Sequence, residues 1–110
     1  MKLIAVVTTV EKSEDARRLA QVAVESKLAA CAQIDEVESI YFWKNVLENT
    51  REFRITLKSR AALWPELKTQ ILASHPYETP AVYSLEVVET NEQYLEWVLQ
   101  NTREPAPCPN

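Results

Sequence analysis

The sequence predicts an α+β domain in which a β-α-β-β-α-β run is followed by a short third helix. Three observations predict it. Four segments are apolar in unbroken runs or in alternation, three others repeat apolar residues at helical spacing, and the second and third strand segments follow one another with no helix between them. With 110 residues and 46% hydrophobic content, the chain suffices for one core without a disulfide or structural metal. The domain is expected to occupy residues 1–103, with an irregular, Pro-rich tail over 104–110.

Leu3 to Thr9 is apolar and β-branched almost without interruption, the pattern of a strand covered on both faces. Ser13 is placed to cap a helix whose first turn carries Glu14 and Asp15 at the positive end of the dipole. Ala16, Leu19, Ala20, Ala23 and Val24 form its narrow apolar stripe. Ala29 to Trp43 reads as a long strand with a bend or bulge at Asp35-Glu36, where the apolar pattern breaks. Lys44 to Thr50 reads as a loop, with Asn45 and Asn49 suited to turn conformations. Arg51 to Lys58 then alternates, Phe53, Ile55 and Leu57 opposing Glu52, Arg54, Thr56 and Lys58.

Leu63, Leu67, Ile71 and Leu72 mark a second helix, with Pro65 in its first turn, where a missing N–H costs no intrahelical bond. His75-Pro76 ends it. Ala81 to Val88 is the last strand, with Ala81, Tyr83, Leu85 and Val87 on one face. Thr90 with Gln93 resembles a capping box ahead of Tyr94, Leu95, Val98 and Leu99. This order matches the split βαβ, ferredoxin-like arrangement, in which helices cover one face of an antiparallel sheet.

Composition narrows the function. Twelve basic against sixteen acidic residues give a net charge of −4, the wrong sign for neutralising phosphates on nucleic acid or lipid. The apolar start stops at Thr8-Thr9 with no cleavage pattern, and no stretch approaches the roughly 20 apolar residues of a membrane span. Two cysteines, Cys31 and Cys108, make neither metal spacing nor a disulfide framework, so a soluble cytoplasmic protein is expected. The chain has no glycine at all, which excludes a Walker loop, a dinucleotide fingerprint, a nucleophile elbow and an EF-hand, since each needs φ > 0 or close backbone approach.

Assembly follows from length. Fifteen strand residues at about 3.3 Å each reach about 50 Å, well beyond the usual strand of roughly 20 Å, so the hairpin must project past its own helices. Its far end carries Ile40 with Phe42 on one face and Tyr41 with Trp43 on the other. The natural cover for a ribbon apolar on both sides is another copy of the chain.

Five stretches stand in the order and approximate spacing of one family: Leu28-Ala29-Ala30-Cys31-Ala32-Gln33-Ile34, Ser39-Ile40-Tyr41-Phe42-Trp43, Leu57-Lys58-Ser59-Arg60, His75-Pro76-Tyr77-Glu78-Thr79-Pro80 and Tyr94-Leu95-Glu96-Trp97. On these the sequence resembles the CutA divalent-cation tolerance proteins up to Val98. The resemblance implies a ferredoxin-like fold similar to that of PII signalling proteins, a tight homotrimer, and tolerance to divalent cations, notably copper. The chain departs from the family pattern at Asp35-Glu36, where Pro-Gly is usual, at Lys44-Asn45-Val46, where Gly usually follows the tryptophan, and at Ala81, where an acidic residue is common.

His75 is the only histidine, and a neutral imidazole suits copper or zinc. Glu78, three residues on, can add a carboxylate, and Cys31 a sulfur if the fold or a neighbouring subunit brings it close. The alternative is a turn that caps the preceding helix, with Cys31 as a small core residue. Lys58 and Arg60 are weak anion-binding candidates, otherwise ion-pair partners. Tyr41, Trp43 and Tyr77, with Ile40 and Phe42, are read as interface anchors. No nucleophile or His/carboxylate pair is visible, so an enzyme is not expected. The expected function is a trimeric cation-tolerance protein binding Cu²⁺ or a similar ion. The alternative is a PII-like signalling or scaffold module that binds a small anion or a partner protein at subunit clefts.

Overall fold

The computed structural model describes residues 2–106, in the order β1 (Leu3–Val10), α1 (Ser13–Glu25), β2 (Cys31–Trp43), β3 (Val46–Arg60), a 3-10 turn (Ala61–Leu63), α2 (Trp64–Ser74), β4 (Val82–Val87) and α3 (Glu92–Gln100). The end of the predicted tail, with Cys108, lies outside the described residues. The four strands form one antiparallel sheet in the order β2-β3-β1-β4, the arrangement expected from the element order.

Register assigns the faces. Val6 pairs with Leu57, and Val10 with Phe53, so these side chains share one face. There they pack with Ile4 and Ile55 of the sheet, Leu19 and Ala23 of α1, and Leu67 and Ile71 of α2, forming the main core. Leu3 and Val87 are paired on the opposite face, where they meet Val98, Tyr94 and Leu95 of α3 and form a second, smaller core with Ala30. The helices therefore do not all lie on one side. The alternating reading of the last strand identified Tyr83, Leu85 and Val87 as one face, but Val82 is the residue that packs against the main core, while Tyr83 and Leu85 are exposed.

The hairpin differs from expectation in two ways. Pairing runs unbroken from Cys31↔Lys58 to Trp43↔Val46, so there is no bulge at Asp35-Glu36. The two acids instead meet arginines across the ladder, Asp35 accepting two bonds from Arg54 at 3.1 and 2.7 Å and Glu36 one from Arg51 at 3.0 Å. The predicted loop over Lys44 to Thr50 contracts to a two-residue turn, Lys44-Asn45, both at positive φ (49° and 66°). Positive φ at both central residues matches the twist of a hairpin, which is why this turn closes the ribbon tightly without glycine. Residues 46–52 of β3 have no β1 partner, and residues 37–43 of β2 pair with them, so the hairpin projects roughly 20 Å beyond the central strand.

The helix ends also depart from the expected caps. Ser13 is the first helical residue, with Lys12 at the N-cap, and Asn91 rather than Thr90 precedes α3; neither cap makes a side-chain bond. The C-terminus of α1 closes through Leu28 N–H to Ala23 O at 3.0 Å and Lys27 N–H to Val24 O at 3.1 Å, with Lys27 at φ 65° in the place glycine usually takes.

Candidate functional site

The end of α2, the loop that follows it and the root of the hairpin converge beside the end of β1. His75, the C-cap residue of α2, lies against β1. Tyr77 N–H donates to its Nδ1 at 3.2 Å, so that nitrogen keeps its lone pair and the proton resides on Nε2. Nε2–H then faces the Thr9 carbonyl at 3.1 Å and the Thr8 hydroxyl at 3.0 Å. Burial pushes the imidazole below its ordinary 6.5, against the opposing pull of the Thr9 carbonyl, so the ring is held neutral.

Tyr77 completes the arrangement. Its hydroxyl donates to Glu52 Oε2 at 2.6 Å, and Glu52, though on the strand face read as polar, is only 6% exposed. Burial and the neighbouring carboxylate both push the Tyr77 phenol far above its usual range, so it remains a donor. An open cleft of about 730 Å³ extends from this pair, lined among others by Glu11, Tyr41, Trp43, Glu48, Glu52, Tyr77 and Glu78. Among the described residues that line it there is no lysine or arginine. At the rim, the Lys44 ammonium lies 5.6 Å from the centre of the Trp43 ring and 3.9 Å from Glu78 Oε2.

The residues singled out from sequence are thus divided. Cys31 is hydrogen-bonded to the Tyr94 hydroxyl at 3.6 Å under α3, and burial with that contact pushes the Tyr94 phenol up to about 12. Cys31 is level with Ala5 of β1, four residues from Thr9, a separation of about 13 Å along the strands. His75, Glu78 and Cys31 therefore do not converge. Both ring nitrogens of His75 are occupied, and among the described residues no group of three or more His, Cys, Asp or Glu side chains is placed to hold a metal ion. The described residues of one chain do not by themselves form a metal centre.

Arg60, the other anion-binding candidate, is bonded within the chain. Its guanidinium is 4% exposed and donates to Leu99 O at 2.6 Å, Thr102 O at 3.0 Å and Thr102 Oγ1 at 2.9 Å, with Glu104 at 3.4 Å. It closes the C-terminus of α3. Lys58 donates to Gln33 Oε1 at 3.0 Å. Of the predicted interface anchors, Ile40 and Phe42 stand exposed on one hairpin face, whereas Tyr41, Trp43 and Tyr77 line the cleft on the other. Glu52 was missed because nothing local marks it; Tyr77, 25 residues later, is what covers it.

A ferredoxin-like sheet, a protruding hairpin and an acidic, aromatic-lined cleft at its root define a small α+β domain without a glycine-rich nucleotide loop. The family model described as CutA1 divalent ion tolerance protein matches residues 4–101, and the chain belongs to that family. It is 36% identical over 101 residues to the divalent-cation tolerance protein CutA of Pyrococcus horikoshii, covering 92% of this chain and 99% of that protein. Its fold is similar to the crystal structure of CutA1 from Oryza sativa (TM-score 0.90, 35% identity, 94% of this chain and 96% of that one). It is also similar to the structure described as the periplasmic divalent cation tolerance protein CutA from Archaeoglobus fulgidus (TM-score 0.87, 27% identity, 90% and 97%).

Proposed function

We propose that the protein works as a homotrimeric, non-catalytic divalent-cation tolerance protein of the cytoplasm, meeting Cu²⁺ or a similar ion weakly at the carboxylates of the hairpin cleft. The observation that carries this reading is the sign of the cleft, which is lined by Glu11, Glu48, Glu52 and Glu78 with no basic side chain among them. Such a concave surface raises the local concentration of cations and opposes the anionic ligand of the alternative reading. Glu78, exposed and only loosely paired with Lys44, is the sequence-predicted ligand placed to take part. His75 takes a structural role, and any inner-sphere site is completed by a second subunit. Trimer formation is supported separately by the exposed apolar residues Ile40, Phe42, Val46 and Leu47 at the hairpin end. Placement in the cytoplasm rests on the cysteine usage; no helix among the described residues is long and apolar enough to cross a membrane.

Copper titration in a Cys108→Ser background tests the assignment. Glu78→Gln is expected to weaken binding about fivefold or more, through loss of one carboxylate, and His75→Ala to leave it unchanged. The reverse pattern places the ion at the histidine and refutes the cleft.

A further inference from the structure

We infer that α3 and the segment after it, residues 101–106, form a hinged flap over the second face of the sheet, closed by a catch on Glu66 of α2. The body of the flap is lightly seated. α3 meets the sheet through Val98, Tyr94 and Leu95 over Leu3, Ala30 and Val87, a cluster separate from the main core. Local opening is easiest where little apolar surface is buried, so this helix can leave while the main core stays folded. Its entry is built to bend: residues 88–91 are irregular and exposed, Val88 by 86%, and the Asn91 cap makes no side-chain bond. The polar contact near that end is a weak one, the Tyr94 hydroxyl with the Cys31 sulfur at 3.6 Å.

The exit is fastened more strongly. Arg60 holds Leu99 and Thr102, and Arg103 N–H donates to Lys27 O at 2.8 Å, just beyond α1. The chain then passes to the first turn of α2, where both oxygens of Glu66 are taken: Oε1 by Ala106 N–H at 2.7 Å and Oε2 by the Arg103 guanidinium at 2.6 Å. These contacts, the Ala106 N–H foremost, hold the Glu66 carboxyl below the usual carboxylate range, so the catch is charged at neutral pH. Bonds to a charged acceptor are roughly twice as strong as neutral ones.

Residues 101–106 therefore tie a helix on one face of the sheet to a helix on the other. Arg60 is buried beneath this tie, whereas Arg103 and Glu66 reach solvent, so the Glu66 catch is the fastening that can be undone from outside. Opening uncovers Leu3, Ala30 and Val87, which then continue the exposed Leu85 of β4 as one apolar strip.

Hydrogen exchange of the full-length assembled protein under native conditions tests the flap. Glu66→Ala is expected to speed amide exchange about tenfold through the whole of α3, including Leu95 near the hinge, with β1 and β3 unchanged. Arg103→Ala should give a similar gain, and the double variant little more, because both residues belong to one catch. Lys68→Ala, one turn along α2, should leave α3 as it is. A gain confined to residues 103–106 would mean that the segment opens without the helix, and an equal gain in β1 and β3 would mean that α3 opens only with the whole domain; either result would overturn the inference.

Discussion

His75 illustrates how one side chain can be read from sequence as a ligand and serve in the fold as a clamp. Its two nitrogens tie the loop at Tyr77 to the end of β1; the Nδ1 contact, which accepts from Tyr77 N–H, requires the neutral ring, and the contact to the Thr9 carbonyl requires the proton on Nε2. Burial lowers its pKa below 6.5, so the unfolded chain takes up a proton before the native one does. The stabilisation is complete above the unfolded value and is lost as pH falls through 6.5 and on through the lower native value. Denaturant unfolding at fixed protein concentration should therefore show wild type losing more stability between pH 7.5 and 5.5 than His75→Gln. Equal losses would mean that the ring is not held neutral. The motif containing His75 and Glu78 was legible in the sequence, but its geometry was not. Tyr77 and Glu52 are far apart along the chain, and a glutamate in strict alternation with Arg54 and Thr56 carries no mark of burial.

At the scale of elements, periodic apolar residues located every helix and strand, because burial on one side imposes the period whatever the remaining sequence does. Boundaries were lost where the ladder overrides local polarity. Glu48-Asn49-Thr50 looks like loop, yet its backbone pairs with Ser39, Ile40 and Tyr41, and the strand continues to Val46. The sequence also gave no sign that α3 crosses to the second face, since an amphipathic stripe does not say which face of a sheet it will meet. Arg60 is the residue that fixes this docking, its buried guanidinium satisfying carbonyls at the end of α3. Arg60→Met should cost about 3 kcal/mol, through buried carbonyls left without donors, and should raise amide exchange in α3 before it does so in β1 or β3. A loss below about 0.5 kcal/mol with unchanged exchange would assign the anchoring of α3 to Val98 and its apolar neighbours alone.

For the whole molecule, the main core accounts for one face of the sheet and the small α3 core for part of the other, but the hairpin end has neither. Phe42 is 73% exposed, and Leu47, paired with it, 61%. Burying one aromatic side chain contributes up to about 4–6 kcal/mol by area, comparable with the net stability of a small domain, so a strip of them left in water would favour association. The free edges of the sheet, β2 and β4, offer unpaired backbone to the same end. Native mass determination of the purified protein at submicromolar concentration tests this most directly. A particle of three 12.6 kDa chains is predicted, and a folded species of one chain's mass would contradict it.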